Sequence, residues 1–193
     1  MQLLRWGVDD PAELCWLDAP PRAAWQQAID LLRVLGAVAP LTSSPAAKQV
    51  PVLTSHGERM SELPVHPRLA HLLICGVQIG RSSIAVSLAA LLSDRDPFRD
   101  QPDISHRLAV LAGEQPCPTQ YRGWAQRTER LAQQFGRQLK SQEIETVDHS
   151  IGDDQLLGYL LACAYPDRIA RRRHSGGYQL ANGRGVELVG HYG

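Results

Sequence analysis

The residues with the clearest capacity for binding chemistry are arginines near the end of the chain. The stretch AYPDRIARRRHSGGYQLANGRG carries Arg168 and then the consecutive residues Arg171, Arg172 and Arg173, just before a glycine-rich run. Arginine presents a planar fork of N–H donors that grips phosphate or carboxylate in a bidentate manner. The segment therefore predicts one of three situations for these side chains: contact with phosphate, ion pairs with carboxylates, or simple solvation.

A second group of arginines falls on a segment with strong helical periodicity, TQYRGWAQRTERLAQQFGRQLK. The residues that recur at intervals of three and four and form its apolar stripe are Tyr121, Trp124, Thr128, Leu131, Phe135 and Leu139. At about 100° per residue, Arg127, Arg130 and Arg137 project roughly opposite that stripe. Glu129 is the only acidic residue of the segment. The pattern predicts either a solvated basic face, the ordinary role of a charge run, or contact with phosphate.

Nucleotide-binding and catalytic patterns are absent from the sequence. There is no G-x-x-x-x-G-K-[ST] motif to cradle the phosphates of a nucleotide. Asp148, His149 and Ser150 contain the residue types of a catalytic triad, but consecutive positions cannot form a chain of nucleophile, base and orienting group. These three residues favour a loop or cap role, and the sequence predicts no catalytic centre.

Histidine and cysteine spacing gives no metal-binding pattern. His56, His66 and His71 match no zinc spacing, and no cysteine is taken to lie near enough to join them, so the sequence predicts no metal ion. The cysteines are scattered without a C-x-x-C pair, which favours buried free thiols in a reducing compartment. They are Cys15, Cys75, Cys117 and Cys163.

Composition and charge restrict the class of protein. The 193 residues are 44% hydrophobic and 21% charged, which is ordinary for a globular chain. Twenty basic and twenty acidic residues cancel, so no overall field attracts nucleic acid. The N-terminus, MQLLRWGVDD, lacks the apolar core of a signal peptide, and no apolar run approaches the ~20 residues of a membrane helix. We therefore expect a soluble, cytoplasmic protein without a membrane partner.

The first part of the chain predicts a helix followed by a small β-ribbon. In LDAPPRAAWQQAIDLLRVLGAV, Asp18 is expected to cap the helix, Pro20 and Pro21 suit its first turn, and Gly36 closes it. Two β-prone pieces follow, 37–41 and 50–54, joined by the loose segment TSSPAAKQ. A helix followed by two short strands with a flexible tip is typical of a winged helix.

The rest of the chain predicts helices and a terminal hairpin. One helix ends at Gly80, and Ser82 is expected to cap the next, which stops at Asp96-Pro97. ISHRLAVLAG and DDQLLGYLLACAY predict two more, besides the arginine-bearing helix. GGYQLANGRGVELVG reads as strand, Asn-Gly turn and strand. The predicted fold is mainly α: a winged-helix domain, then a helical bundle, then a short C-terminal β-hairpin.

Several blocks together resemble the C-terminal accessory region of DEAH/RHA-type ATP-dependent helicases, most closely their bacterial HrpB branch. The blocks are LLRWGVDDPAELCWLDAPP, LLRVLGAV, LTSHGERMSELPVHPRLAHLL, LAALLSDRDPF, and AYPDRIARRR followed by GGYQLANGRG. Their order and approximate spacing match that family over about two thirds of the chain; residues 99–118 and 136–152 match poorly. His56 stands where the family usually has Leu, and SSPAAKQVPV lengthens the wing.

The resemblance implies a domain plan and a function. It implies a winged-helix domain over 1–64, a helical ratchet bundle over 65–165 and the start of an OB-like segment over 166–193. In that family these parts follow two RecA-like motor domains, which bind ATP and Mg²⁺. The winged helix, the ratchet bundle and the OB-like segment help to enclose single-stranded RNA or DNA. This chain alone is then a non-catalytic fragment of a helicase that needs no cofactor of its own.

The resemblance also implies roles for particular residues. Arg168 and the three arginines after it would lie at the exit of the last ratchet helix and line the channel of the strand, where each phosphate contact adds to the salt dependence of binding. The alternative is that Asp167 and nearby acids pair with some of these arginines. Tyr178 would stack on a base as aromatic residues of OB surfaces do, or be a buried strand tyrosine.

Two other functions are compatible with parts of the sequence. The chain could be a docking module that contacts the motor domains or an adaptor without binding nucleic acid, because residues 1–100 carry nine basic and ten acidic residues. A free-standing transcription regulator would need a basic recognition helix, but Arg59 is balanced by Glu58 and Glu62. Binding of RNA by the isolated chain distinguishes the first two hypotheses.

Overall fold

The computed structural model describes residues 1–40, 50–98, 103–147, 151–174 and 176–187. Within these ranges the chain is mainly helical and ends in a small sheet, as predicted. The helices are α1 (Gln2–Arg5), α2 (Arg22–Val34), α3 (Ser55–Glu62), α4 (Pro67–Gln78), α5 (Ser82–Ser93), α6 (Ile104–Leu111), α7 (Arg122–Lys140) and α8 (Asp153–Ala164). The strands are β1 (Ala170–Arg172), β2 (Tyr178–Leu180) and β3 (Gly185–Val186).

Helix α2 begins later than its sequence suggested. Its N-cap is Pro21 and no side chain caps it, so the expected cap by Asp18 is wrong. Its end is as expected: Gly36 has a φ of +69°, a left-handed conformation that glycine adopts without strain. The buried face includes Ile29 and Leu32, which turn toward the core.

The two β-prone pieces pair with each other, although only briefly. Val38 and Leu53 form an antiparallel bridge, and the amide of Ala39 donates to the carbonyl of Val52 at 2.9 Å. The predicted tip of this ribbon, 41–49, lies outside the described residues. Thr54 then caps α3, because its hydroxyl oxygen accepts from the amide of Gly57 at 3.0 Å. The ribbon thus leads directly into α3.

Helices α4, α5, α7 and α8 surround a common apolar core. Leu72, Leu73 and Ile74 of α4 are fully buried, as are Leu88 of α5 and Leu160 of α8. The same core includes residues from α2, the ribbon and α3. Among the described residues, none of the helices is both long enough and apolar enough to cross a membrane.

Two details of the bundle differ from the sequence prediction or extend it. Ser82 does not cap α5; Arg81 is the N-cap and Ser82 is the first helical residue. Helix α6 is anchored by Arg107, which is 3% exposed and donates to the carboxylate of Asp96 and to the carbonyl oxygens of Phe98 and Asp103. A buried arginine is stable there because carboxylate and carbonyl oxygens surround its charge.

The C-terminal sheet has three strands rather than the expected two. The hairpin of β2 and β3 is confirmed, with Gly183 at a φ of +86° in its turn. Strand β1 pairs antiparallel with β2, with Arg171 opposite Gln179 and Arg172 opposite Tyr178. The hairpin therefore has a partner strand, which contains Arg171 and Arg172 and ends just before Arg173. An alanine followed by two arginines gave no strand signal.

Candidate nucleic-acid interface

Helix α7 has a buried face and a basic face, as its periodicity predicted. Trp124, Thr128, Phe135 and Leu139 are buried. A contrasting set of residues is exposed: Arg127, Arg130 and Arg137. The apolar stripe fixes the rotation of α7 about its axis, and thereby fixes the direction in which the arginines point.

The three arginines of α7 line one groove, together with the end of α5. This cavity has a volume of about 580 Å³. Its lining comprises Ser93, Asp94, Arg127, Thr128, Arg130, Leu131, Gln133, Gln134 and Arg137. The groove therefore combines three guanidinium groups with uncharged hydrogen-bonding side chains and one carboxylate.

Little of the positive charge of this groove is neutralised within the described part of the chain. Arg127 Nε lies 3.7 Å from a carboxylate oxygen of Asp94, in a pair whose side chains are 62% and 33% exposed. An ion pair that open is weak in water. Arg130 Nε donates to the carbonyl oxygen of Gln126 in its own helix at 3.2 Å. Among the described residues, neither Arg130 nor Arg137 forms an ion pair.

A second cavity continues this groove toward the end of α8. It has a volume of about 590 Å³ and shares Ser93, Leu131 and Gln134 with the first. The remaining lining residues are Pro64, Val65, His66, Arg68, Leu69, Leu92, Phe135, Tyr165 and Arg168. The shared residues make the two cavities one surface, which runs from Arg137 to Arg168 and is here called the α7 groove.

Two arginines flank an aromatic ring at the far end of the α7 groove. The guanidinium carbons of Arg168 and Arg68 lie 4.8 and 5.2 Å from the centroid of the Tyr165 ring. Both distances are typical of cation–π contact. Arg68 also pairs with Asp167, and that hydrogen bond and charge lower the pKa of the Asp167 carboxyl below its ordinary value. The alternative expectation was that Asp167 pairs with the arginines that follow it. Among the described residues it pairs with Arg68 of α4 instead.

The two arginines of β1, and Arg173 directly after it, lie outside the α7 groove. Arg171, Arg172 and Arg173 are exposed and line neither of its two cavities. Because side chains alternate along a strand, Arg172 shares a face with its cross-strand neighbour Tyr178, and Arg171 lies on the opposite face. Tyr178 is half-buried. The predicted site residues therefore fall into two groups: four lie along the groove, and the other four lie in the sheet or, for Arg173, directly after its first strand.

The sequence did not single out Arg68, Tyr165 or Gln134 as site residues. Arg68 follows His66-Pro67 at the start of α4, and Tyr165 immediately follows α8. Both lie inside sequence blocks that carried the family resemblance. Membership of those blocks was the one signal in the sequence that could have pointed to them. The described ranges omit 148–150, so the expected loop or cap role of Asp148, His149 and Ser150 lies outside them.

Known proteins resemble this chain over almost its full length. No protein-family model matches it. The ATP-dependent RNA helicase HrpB of Escherichia coli K12 is 33% identical over 189 residues, which are 97% of this chain. The crystal structure of the Escherichia coli DExH-box NTPase HrpB matches 97% of the chain with a TM-score of 0.66 and 32% identity. This chain is homologous to the C-terminal region of HrpB.

The homology covers only a part of each relative. The chain spans 20% of the length of HrpB. An HrpA homologue of Haemophilus influenzae, named as an ATP-dependent RNA helicase, is 31% identical over 102 residues, 53% of this chain and 8% of that protein. A second HrpB crystal structure gives a TM-score of 0.65 at 31% identity. The resemblance to the HrpB branch of DEAH/RHA helicases, stated from the sequence blocks, is confirmed.

Proposed function

We propose that this chain is a non-catalytic accessory region of an ATP-dependent RNA helicase and that its α7 groove holds single-stranded nucleic acid. The observation that carries the proposal is the alignment of Arg127, Arg130, Arg137 and Arg168 along one groove. The relatives are named ATP-dependent RNA helicases, which supports the same role. ATP and Mg²⁺ would act in motor domains of the parent protein, since the relatives are named ATP-dependent helicases and this chain spans only a small part of each.

The length and chemistry of the groove suit a single strand. From Arg127 to Arg137 the helix advances about 15 Å at 1.5 Å per residue. That distance spans several stacked nucleotides at about 3.4 Å each. Guanidinium groups would contact phosphates, and the amides of Gln133 and Gln134 offer donors and acceptors to sugars and base edges. Binding of this kind positions a strand without reading its sequence.

The end of the groove supplies planar groups. Tyr165 and Arg168 stack on each other at the mouth of the second cavity. Aromatic rings and guanidinium planes both stack on bases regardless of sequence. We propose that a base at this end of the strand packs against Arg168 while the phosphates follow α7. Arg172 and Tyr178, on one face of the sheet, form a second and separate candidate contact.

The domain plan belongs to the same proposal. Residues 1–64 would form the winged-helix domain, 65–165 the ratchet bundle and 166–193 the start of an OB-like segment. RecA-like motor domains of the same parent protein would pack against this region on the side of the α7 groove. The nucleic-acid strand would then run between the motor domains and the groove.

A second candidate function is protein docking, and exposed apolar side chains favour it. Trp6 is 73% exposed, Leu17 is 101% exposed, and Val34 and Val52 are 62% and 59% exposed. All four lie in the first 52 residues, in the part expected to be a winged helix. Where exposed apolar side chains form a contiguous patch, they commonly mark protein contact sites. In this alternative the chain contacts the motor domains or an adaptor and does not itself hold nucleic acid.

Binding of RNA by the 193-residue chain tests the first proposal against the second. Fluorescence anisotropy of a labelled single-stranded RNA, titrated at several salt concentrations, measures both affinity and the number of phosphate contacts. Substitution of the three α7 arginines distinguishes the groove from the sheet. An RNA that fails to bind at low salt leaves docking as the function.

A further inference from the structure

A cluster of histidine and cysteine side chains lies between α4 and α8. His71 and Cys75 are four residues apart on α4, so they share one face of that helix. Cys163 reaches them from α8. The ligand atoms of the three residues all lie within 4.8 Å of one another. This cluster is separate from the α7 groove, whose lining includes none of the three.

One separation within the cluster matches that between two ligands of a zinc ion. His71 Nε2 lies 3.5 Å from Cys75 Sγ. Zinc bonds of about 2.0–2.1 Å to nitrogen and 2.3 Å to sulfur give a nitrogen–sulfur edge of about 3.6 Å in a tetrahedron. The observed separation already has that length. We propose that His71, Cys75 and Cys163 bind one zinc ion that joins α4 to α8.

His56 positions the histidine of this cluster. His56 Nε2 and His71 Nδ1 are 2.7 Å apart, with the two rings edge to face. When Nδ1 of His71 donates its hydrogen to His56, its Nε2 keeps a lone pair directed at the cysteines. In metal-binding histidines, the ring nitrogen that does not bind the metal generally donates its N–H to a neighbouring acceptor. His56 would therefore hold the His71 ring in the orientation and tautomer that leave Nε2 free to bind a metal.

The ligand types indicate which metal binds and what it does. Two thiolates and an imidazole favour zinc over magnesium or calcium, which prefer oxygen ligands. Cys75 is buried while His71 and Cys163 are half-buried, so an ion can enter from one side. Because Cys75 and Cys163 come from helices far apart in sequence, the ion would cross-link the bundle. Histidine spacing alone predicted no metal, because it left out Cys75, four residues from His71, and Cys163, which only the packing of α8 brings near.

Metal titration of the 193-residue chain tests this site. The reduced protein, freed of metal by a chelator, is titrated with Co²⁺ and then with Zn²⁺. We expect one equivalent of Co²⁺ to bind, with a thiolate-to-cobalt charge-transfer band and the visible bands of tetrahedral cobalt, and Zn²⁺ to displace it. At zinc about 100-fold above its Kd, Tm should rise by about 5–10 °C. A cobalt spectrum without the charge-transfer band overturns the proposal.

Alkylation mapping identifies the ligands without any substitution. Zinc should protect Cys75 and Cys163 from a thiol reagent in the native protein, as mass spectrometry of the digested chain would show. Cys15, which is exposed, serves as the internal control and should react with or without zinc. Equal reactivity of Cys163 in the presence and absence of zinc contradicts the proposed ligand set.

Substitutions separate the ligands from the positioning residue. Cys75→Ala and Cys163→Ala should each abolish the charge-transfer band or reduce its intensity by about half, while Cys15→Ser keeps it. His56→Leu should retain the stoichiometry and the spectrum but weaken zinc binding by about 10–100-fold. Full zinc affinity in either cysteine variant, with its helix content intact, overturns the assignment.

Discussion

Arg68 and Asp167 form an ion pair that joins the first turn of α4 to the turn after α8, across 99 residues of sequence. The Arg68 guanidinium also donates to the carbonyl oxygen of Ala164 at 3.0 Å and lies over the Tyr165 ring. These contacts place Tyr165 and Arg168 at the end of the α7 groove. The pair therefore supports both the stability of the bundle and the geometry of the candidate site.

Substitution of Arg68 should destabilise the chain more than loss of an exposed pair would. The Arg68 side chain is only 15% exposed, and Arg68→Ala leaves Asp167 and the Ala164 carbonyl without their shared donor. We expect a loss of about 1–2 kcal/mol in the free energy of unfolding, between the values typical of exposed and buried pairs. Urea denaturation monitored by circular dichroism measures it.

Arg81→Ala is the matched control for this substitution. Arg81 pairs with Asp153 at 2.9 Å, but these side chains are 49% and 85% exposed. Its loss should change the free energy of unfolding by less than about 0.5 kcal/mol. Equal losses in the two variants would show that burial of the Arg68 pair has no energetic consequence.

The same ion pair predicts a pH dependence of stability. The hydrogen bond and charge of Arg68 hold the pKa of Asp167 below its ordinary value in the folded chain. Because the folded pKa is below the unfolded one, the stabilisation is fully present above the unfolded pKa, about 3.9, and is lost as pH falls through the folded value. Asp167→Asn removes this effect.

Urea denaturation of the wild type and Asp167→Asn at several pH values tests that dependence. The wild type should be the more stable of the two by a constant margin between about pH 5 and 7, and the margin should shrink below about pH 4. A margin that persists undiminished at pH 3 would mean that the charge of Asp167 is not its cause.

Glycine at position 76 is required by the close approach of α4 and α5. A Cβ added at Gly76 would lie 2.2 Å from the Cβ of Ala85, whereas one added at Gly136 of α7 would meet nothing within 4 Å. Gly76→Ala should therefore lower the free energy of unfolding by about 1–3 kcal/mol through overpacking. Gly136→Ala should raise it by about 0.4–1 kcal/mol, because alanine favours the helix. Thermal unfolding of both variants makes the comparison, and a Gly76→Ala variant as stable as Gly136→Ala would refute the close approach.

Much of the fold follows from local sequence patterns. The apolar periodicity of α7 predicted its buried stripe, and the Asn182-Gly183 pair predicted the turn of the hairpin. Errors came where side-chain preference did not decide the structure. Asp18 is a good cap residue, yet α2 starts after Pro21 without a side-chain cap. Arg171 and Arg172 have no marked strand preference, yet they pair with β2 because the hairpin offers a free edge.

The candidate site was only partly visible in the sequence. Periodicity alone placed Arg127, Arg130 and Arg137 on one face of α7. It could not bring Arg168 into the same groove, because that requires α8 to pack across α4, which is a tertiary contact. Long-range packing likewise joins Cys163 to Cys75 and Asp167 to Arg68. Local spacing carries no information about such pairs.

The measurement that tests the central claim is the salt dependence of RNA binding by the chain and its variants. Three forms are compared: the wild type, the triple variant Arg127→Ala, Arg130→Ala, Arg137→Ala, and the corresponding triple lysine variant. Each phosphate contact with a single strand contributes about 0.7 to the slope of log K against log salt. The alanine variant should lose about 2 in slope, and the lysine variant should keep most of it.

A parallel triple alanine variant at Arg171, Arg172 and Arg173 tests the sheet under the same conditions. We expect a larger loss of slope from the groove variant than from the sheet variant. If the wild type fails to bind single-stranded RNA at low salt, or the groove variant binds with an unchanged slope, the α7 groove does not hold nucleic acid.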